Sequence, residues 1–193
     1  GEDHLCWIMP SWRRLMDCCL EFVTGAAPVA PSQRRFATVL FTDIVGSTTQ
    51  AARVGDAAWR TTMEGHDRVA WKAVGAHGGK LVKNTGDGLL VTFDSPSEAI
   101  ACTSELTREL ADLGLTIRAG LHAGEVEVRE DGDVVGLAVN LAARVEQAAR
   151  EGSTYVSSTV RDLMLGGDHS FEDRGEHMLK GIAGAWRLYE LAA

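Results

Sequence analysis

Residues 39–48 read VLFTDIVGST, and residues 83–93 read KNTGDGLLVTF. In the first, Asp43 ends an apolar run shortly before the chain turns on Gly46; in the second, Asp87 sits in a glycine turn between two apolar strands. An unpaired carboxylate at the end of a buried strand is costly, so each aspartate needs a partner. Two carboxylates brought together repel and raise each other's pKa unless a cation sits between them.

The surrounding pattern predicts how they meet. A strand over 36–42 leads into a turn at 45–48. A helical stretch over about 49–76 is broken near Gly55, and Gly78 and Gly79 turn the chain. Strands at 80–84 and 89–93 flank the TGDG turn. Ser95 or Ser97 caps a helix to about 112, with Ser95 and Glu98 spaced as a capping box. A strand over 115–122 follows, Gly124 is read as its turn, and 125–129 is expected to pair back. Gly136 opens a helix to about Arg150. A strand at 154–156, a helix at 158–165 and strands at 170–175 and 186–190 complete the chain. The order βαββαβ predicts an α+β fold with a ferredoxin-like core, helices on one face of an antiparallel sheet, and added C-terminal strands and helix. That order lays the first strand beside the middle hairpin, so Asp43 and Asp87 should come within a few ångströms.

Bulk properties narrow the function. The 193 residues carry 27 acidic and 19 basic side chains, a net charge of −8. This argues against nonspecific nucleic-acid binding and against an anionic membrane surface as partner. No apolar run reaches the roughly 18 residues of a membrane span. The four cysteines, Cys6, Cys18, Cys19 and Cys102, lack metal-binding spacing and read as reduced, buried thiols. With no signal-peptide pattern at the start, a cytoplasmic protein is expected, and Gly1 in place of Met suggests a piece of something longer. PSWRRLMDCCLEFVT (10–24) has helical spacing, and GAAPVAPSQRR (25–35) reads as a linker. The main domain is therefore expected over 36–193, after an N-terminal helix and linker over 1–35.

Oxygen ligands in an open, watery site favour Mg²⁺ or Mn²⁺ between Asp43 and Asp87. Backbone N–H groups of Ile44, Val45, Gly46, Ser47 and Thr48, in the turn after the first strand, could cradle a triphosphate. In GDVVGLAVNLAARVEQ (132–147), Asn140 and Arg144 form a polar row at i, i+4 on an otherwise apolar helix. Such a row could serve a sugar oxygen and a phosphate. The alternative is a solvated face.

VLFTDIVGST, KNTGDGLLVTF, GLHAGEV, VNLAARVEQ and LKGIAGAWRLYEL occur in that order. Together they resemble the catalytic domain of class III nucleotide cyclases over residues 36–191. The tract EFVTGAAPVAP resembles the joint after an α/β-hydrolase domain in fused mycobacterial members. The resemblance implies an adenylate cyclase that converts ATP to 3′,5′-cyclic AMP and pyrophosphate. Asp43 and Asp87 would hold two Mg²⁺ or Mn²⁺ ions, Arg144 would stabilise the α-phosphate, Asn140 would orient the ribose, and Lys180 would contact the β- and γ-phosphates. It also implies a homodimer with shared sites. Asp43 and Asp87 would come from one chain, and Lys83, Asp133, Asn140 and Arg144 from the other.

The family's base-reading positions fall on Lys83 and Asp133. A lysine donor and an aspartate acceptor match the N1 and N6 edge of adenine. Asn84 is the alternative to Lys83, and a two-residue slip would substitute Asp131. Guanylate cyclase activity, or a regulatory module that binds nucleotide without turnover, are the other readings. His122 reads as structural or gatekeeping, His66 and His77 as exposed, and Trp59 and Trp71 as core or dimer packing.

Overall fold

Strand β1 (Gln33–Ile44) has four consecutive buried residues, Ala37 to Leu40, so both of its faces must be covered. The structure, a computed structural model, describes residues 33–192. The expected N-terminal helix, most of the linker, the likeness to a hydrolase joint, and Cys6, Cys18 and Cys19 lie outside the described residues.

After β1 come helices α1 (Ser47–Val54) and α2 (Asp56–Ala76), then strands β2 (Lys80–Asn84) and β3 (Gly88–Phe93). Helix α3 (Pro96–Asp112) leads to β4 (Ile117–Val128) and the two-residue β5 (Val134–Val135). Helix α4 (Leu137–Ala148), β6 (Thr154–Ser157), α5 (Ser158–Leu163), β7 (Phe171–Met178) and β8 (Ala185–Leu191) follow. The sheet order is β2-β3-β1-β4-β6-β8-β7, with β5 paired to β4. Its first four strands are antiparallel neighbours, as the βαββαβ reading requires. The join to the added strands is parallel, β4 beside β6.

Local chemistry sets the breaks. Gly55, at φ 82°, separates α1 from α2. Ser95 Oγ accepts from Ser97 N at 3.3 Å and caps α3. Leu40, Ile44, Val91 and Leu121 pack with Ala70, Val74, Ile100 and Leu106 of α2 and α3 on one face of the sheet. Ala37, Val39, Leu90 and Val126 pack with Ala138, Val139 and Ala142 of α4 on the other. The two core helices share a face as expected, but α4 covers the opposite one. Among the described residues no helix is long and apolar enough to cross a membrane.

Three expectations change. Gly124 does not turn the chain. β4 continues through it and pairs with β1 from Gln33↔Val128 to Ile44↔Ile117. A Cβ there would lie 3.1 Å from Ala138 Cβ, so the glycine makes room for α4. The turn instead falls at 129–133, where Arg129 N donates to Asp133 O at 2.9 Å, and β5 returns. His66 is 0% exposed, because it shares the inward row of α2 with Ala70, Ala73 and Val74. His77 is half-buried with Nε2 2.8 Å from Glu105 Oε2. Trp59 packs against the core, whereas Trp71 is 66% exposed.

Candidate active site

Asp43 stands opposite Gly88 in the β1–β3 ladder, one residue from Asp87. Ile44 N donates to Asp87 O at 2.9 Å, locking the β2–β3 turn onto the end of β1. A Cβ on Gly88 would lie 3.0 Å from Thr85 Oγ1 and closer still to Thr42 O, so only glycine allows this approach. Ser47 Oγ donates to Asp87 Oδ2 at 2.6 Å. The two aspartates thus meet at one end of the sheet, as the strand order predicted.

The turn after β1 divides into two parts. Val45 N donates to Thr116 O at 2.8 Å, and Ile44 N is already held by Asp87. The N–H groups of Ile44 and Val45 are therefore committed to the protein and cannot serve a phosphate, contrary to the sequence expectation. Gly46, at φ 64°, opens α1, so Ser47 and Thr48 lie in its first turn. A helix's first N–H groups have no internal acceptors and favour an anion.

Arg118 was missed in the sequence. It stands directly opposite Asp43 in the β1–β4 ladder, and its Nη2 donates to Asp43 Oδ2 at 2.7 Å. Its Nε lies 2.7 Å from Glu146 Oε1 on α4, an ion pair by distance that is misaligned for a hydrogen bond. Glu146 is 7% exposed. Burial pushes its carboxyl above the usual carboxylate range, the charges of Asp43 and Asp87 push the same way, and Arg118 opposes them. A charged residue in the apolar stretch TIRAGLH and an acid on the apolar side of α4 were the available signals.

Asp43 and Asp87 supply hard oxygen donors, which fit Mg²⁺ or Mn²⁺. Among the described residues no three His, Cys, Asp or Glu side chains form a ready metal cluster. Two carboxylates leave coordination positions for water and phosphate oxygens, as Mg²⁺ sites ordinarily do.

Lys83 on β2 and Asp133 in the turn before β5 meet, with Nζ 3.2 Å from Oδ2. The Lys83 ammonium and the Val134 N–H hold Asp133 below the usual carboxylate range. The alternatives point elsewhere. Asn84 Nδ2 donates to Asp67 Oδ1 at 2.9 Å, and Asp131 Oδ1 accepts from Asp133 N at 2.9 Å within the turn.

Asn140 is exposed on α4, and Arg144, one turn on, donates to Gln147 Oε1 at 2.6 Å. Lys180 is exposed in the β7–β8 connection. Among the described residues no hydrogen bond or ion pair joins Lys83, Asp133, Asn140, Arg144 or Lys180 to Asp43 or Asp87. Within the single chain these residues are thus not tied directly to the two aspartates.

His122 is buried, with Nδ1 2.8 Å from Ser157 Oγ and an edge-to-face contact with Trp186 at 6.0 Å. Burial holds its pKa down to about 4. The cleft of about 390 Å³ beside these two rings includes neither aspartate in its lining.

The sequence model of the adenylate and guanylate cyclase catalytic domain matches residues 29–193. The putative adenylate cyclase 3 of Rhizobium meliloti is 33% identical over 159 residues, which cover 78% of this chain and 27% of that protein. The chain thus spans under a third of that relative. The adenylate/guanylate cyclase/hydrolase from Silicibacter pomeroyi superposes with a TM-score of 0.75 at 27% identity, covering 84% of this chain and 99% of that one. The adenylyl cyclase CyaB from P. aeruginosa shares the fold with a TM-score of 0.78 at 24% identity, covering 85% and 97%. A family match that covers every described residue is decisive: the chain belongs to the adenylate and guanylate cyclase catalytic domain family.

Proposed function

We propose that the domain cyclises ATP to 3′,5′-cyclic AMP and pyrophosphate, working as a homodimer with composite sites. The observation that carries the choice of adenine is the Lys83–Asp133 pair, a donor and an acceptor 3.2 Å apart. Adenine presents an acceptor at N1 and a donor at N6, whereas guanine reverses that edge. A pocket that pairs both groups rejects the reversed edge by leaving its own polar atoms unpaired.

Asp43 and Asp87 would hold two Mg²⁺ or Mn²⁺ ions, which supply charge neutralisation and acidify the ribose 3′-hydroxyl. Ser47 and Thr48, in the first turn of α1, offer N–H donors to the triphosphate. Arg144 exchanges Gln147 for the α-phosphate and stabilises charge as the 3′-oxygen attacks and pyrophosphate departs. Asn140 accepts or donates to the ribose and sets its angle. Lys180 takes the β- and γ-phosphates. Asn140 is exposed and makes no direct tie to the aspartates of its own chain, which supports a site completed by a second copy.

Incubation with ATP or GTP and either metal, followed by identification of the product, tests this reading. Cyclic AMP from ATP is expected, and Lys83→Ala should lower kcat/KM for ATP by about tenfold or more through one lost base contact. Cyclic GMP as the main product would overturn the base assignment. Nucleotide binding without product would leave a regulatory module.

A further inference from the structure

Gly120 of β4 sits under α4, where a Cβ would meet the backbone of Glu146. That close approach presses the Glu146 carboxylate down beside Arg118, two residues earlier on the same face of β4. Arg118 therefore stands between two acids, with Nη2 on Asp43 and Nε against Glu146, each at 2.7 Å. Glu146 has almost no solvent of its own, while the Asp43 side chain is half-buried. The guanidinium is planar and always charged, so it can neutralise either acid, and its five donors let it span both.

We propose that Arg118 is an internal counter-cation at the metal site and that Glu146 is the positioning residue that takes it up when a metal ion occupies Asp43. The inference rests on the reading of Asp43 as a metal ligand. A divalent ion on Asp43 would compete with the guanidinium for the same carboxylate charge, and an ion that took Oδ2 would displace Nη2 from it. The freed guanidinium stays neutralised because its Nε already touches Glu146. Without that second acid the guanidinium loses the carboxylate its Nε touches and competes harder for Asp43. Glu146 thus acts on the metal through Arg118 and needs no contact with it.

The test measures Mn²⁺ binding without nucleotide, from the free-ion EPR signal. Glu146→Gln should raise the dissociation constant about tenfold and Arg118→Met should lower it about tenfold, the range of allosteric couplings between neighbouring sites. Arg118→Lys, which keeps Glu146 paired but cannot span both acids, is a second variant and should also tighten binding. A simple field effect of Glu146 would persist without Arg118, whereas a role exerted through Arg118 would not. In the Arg118→Met background, Glu146→Gln should therefore change the dissociation constant less than about twofold, the non-additivity that marks coupled residues. Equal effects of Glu146→Gln in both backgrounds overturn the proposal, as does unchanged binding in every single variant. Asp43→Ala separates the two failures. If it binds Mn²⁺ like the parent, the metal reading falls. If it loses Mn²⁺ while the Arg118 and Glu146 variants match the parent, only this inference falls.

Discussion

Gly120→Ala should be the most informative single substitution in the sheet. The added methyl would lie 2.7 Å from Glu146 Cβ and closer still to that residue's N and Cα, all well inside the 3.4–4 Å of ordinary contact. Backbone cannot rotate away as a side-chain tip can, so α4 must lift by about 1 Å or more. The lift opens the layer formed by Val139, Ala142 and Val145. Overpacking of this kind costs about 1–3 kcal/mol, and backbone contacts put it at the upper end. A loss of about 3 kcal/mol moves a urea midpoint by about 1 M or more. The lift also carries Asn140 and Arg144 out of register and breaks the 2.7 Å approach of Glu146 to Arg118. A misplacement of about 1 Å can cost about a hundredfold in rate. Gly75→Ala is the control, since a Cβ there meets nothing within 4 Å. In α2 it should be neutral or add about 0.5–1 kcal/mol. Urea unfolding and product formation are measured on both. A Gly120→Ala protein with the parent's midpoint and a rate within about twofold would refute the close approach of α4 to β4.

Asp43→Ala and Asp87→Ala should each cost at least about a hundredfold in turnover with saturating Mn²⁺ while the circular dichroism spectrum is kept. A normal rate from either one removes it from the metal site. Either change relieves the repulsion among the acids, but Asp43→Ala also gives up the ion pair with Arg118, so Asp87→Ala should have the higher Tm of the two without metal. Asp43→Ala mixed in equal amounts with Arg144→Ala should recover about a quarter of parental activity, since half the random dimers then carry one intact site of two. With a labelled-subunit control for exchange, a flat background at every ratio excludes a shared site. The His122 pKa of about 4, against its ordinary 6.5, means the unfolded chain takes up a proton that the folded one refuses. Its contribution is fully present above about pH 6.5 and is lost as pH falls toward 4, by up to about 3 kcal/mol. The difference in stability between parent and His122→Phe should follow that slope, and a difference independent of pH in this window would exclude it.

Much of the site was legible because its chemistry is local. Asp43 after an apolar strand, Asp87 in a glycine turn, and Asn140 four residues before Arg144 are each short-range patterns, and strand order then joined the aspartates. The break at Gly55 and the cap at Ser95 were also local. The glycines of β4 were not. Gly124 has the letter of a turn, yet it serves close packing, and nothing within a few residues distinguishes the two uses. Which face α4 would cover was likewise invisible, since its apolar row fits either side of a sheet buried on both. The Arg118–Asp43 contact joins residues 75 apart in the chain, and Glu146 reaches it only because Gly120 lets the helix settle on the strand. Periodicity and turn chemistry depend on neighbours in the chain, so one sequence suffices to read them. An ion pair between a strand and a crossing helix depends on where the packed layers come to rest, and only the folded chain specifies that.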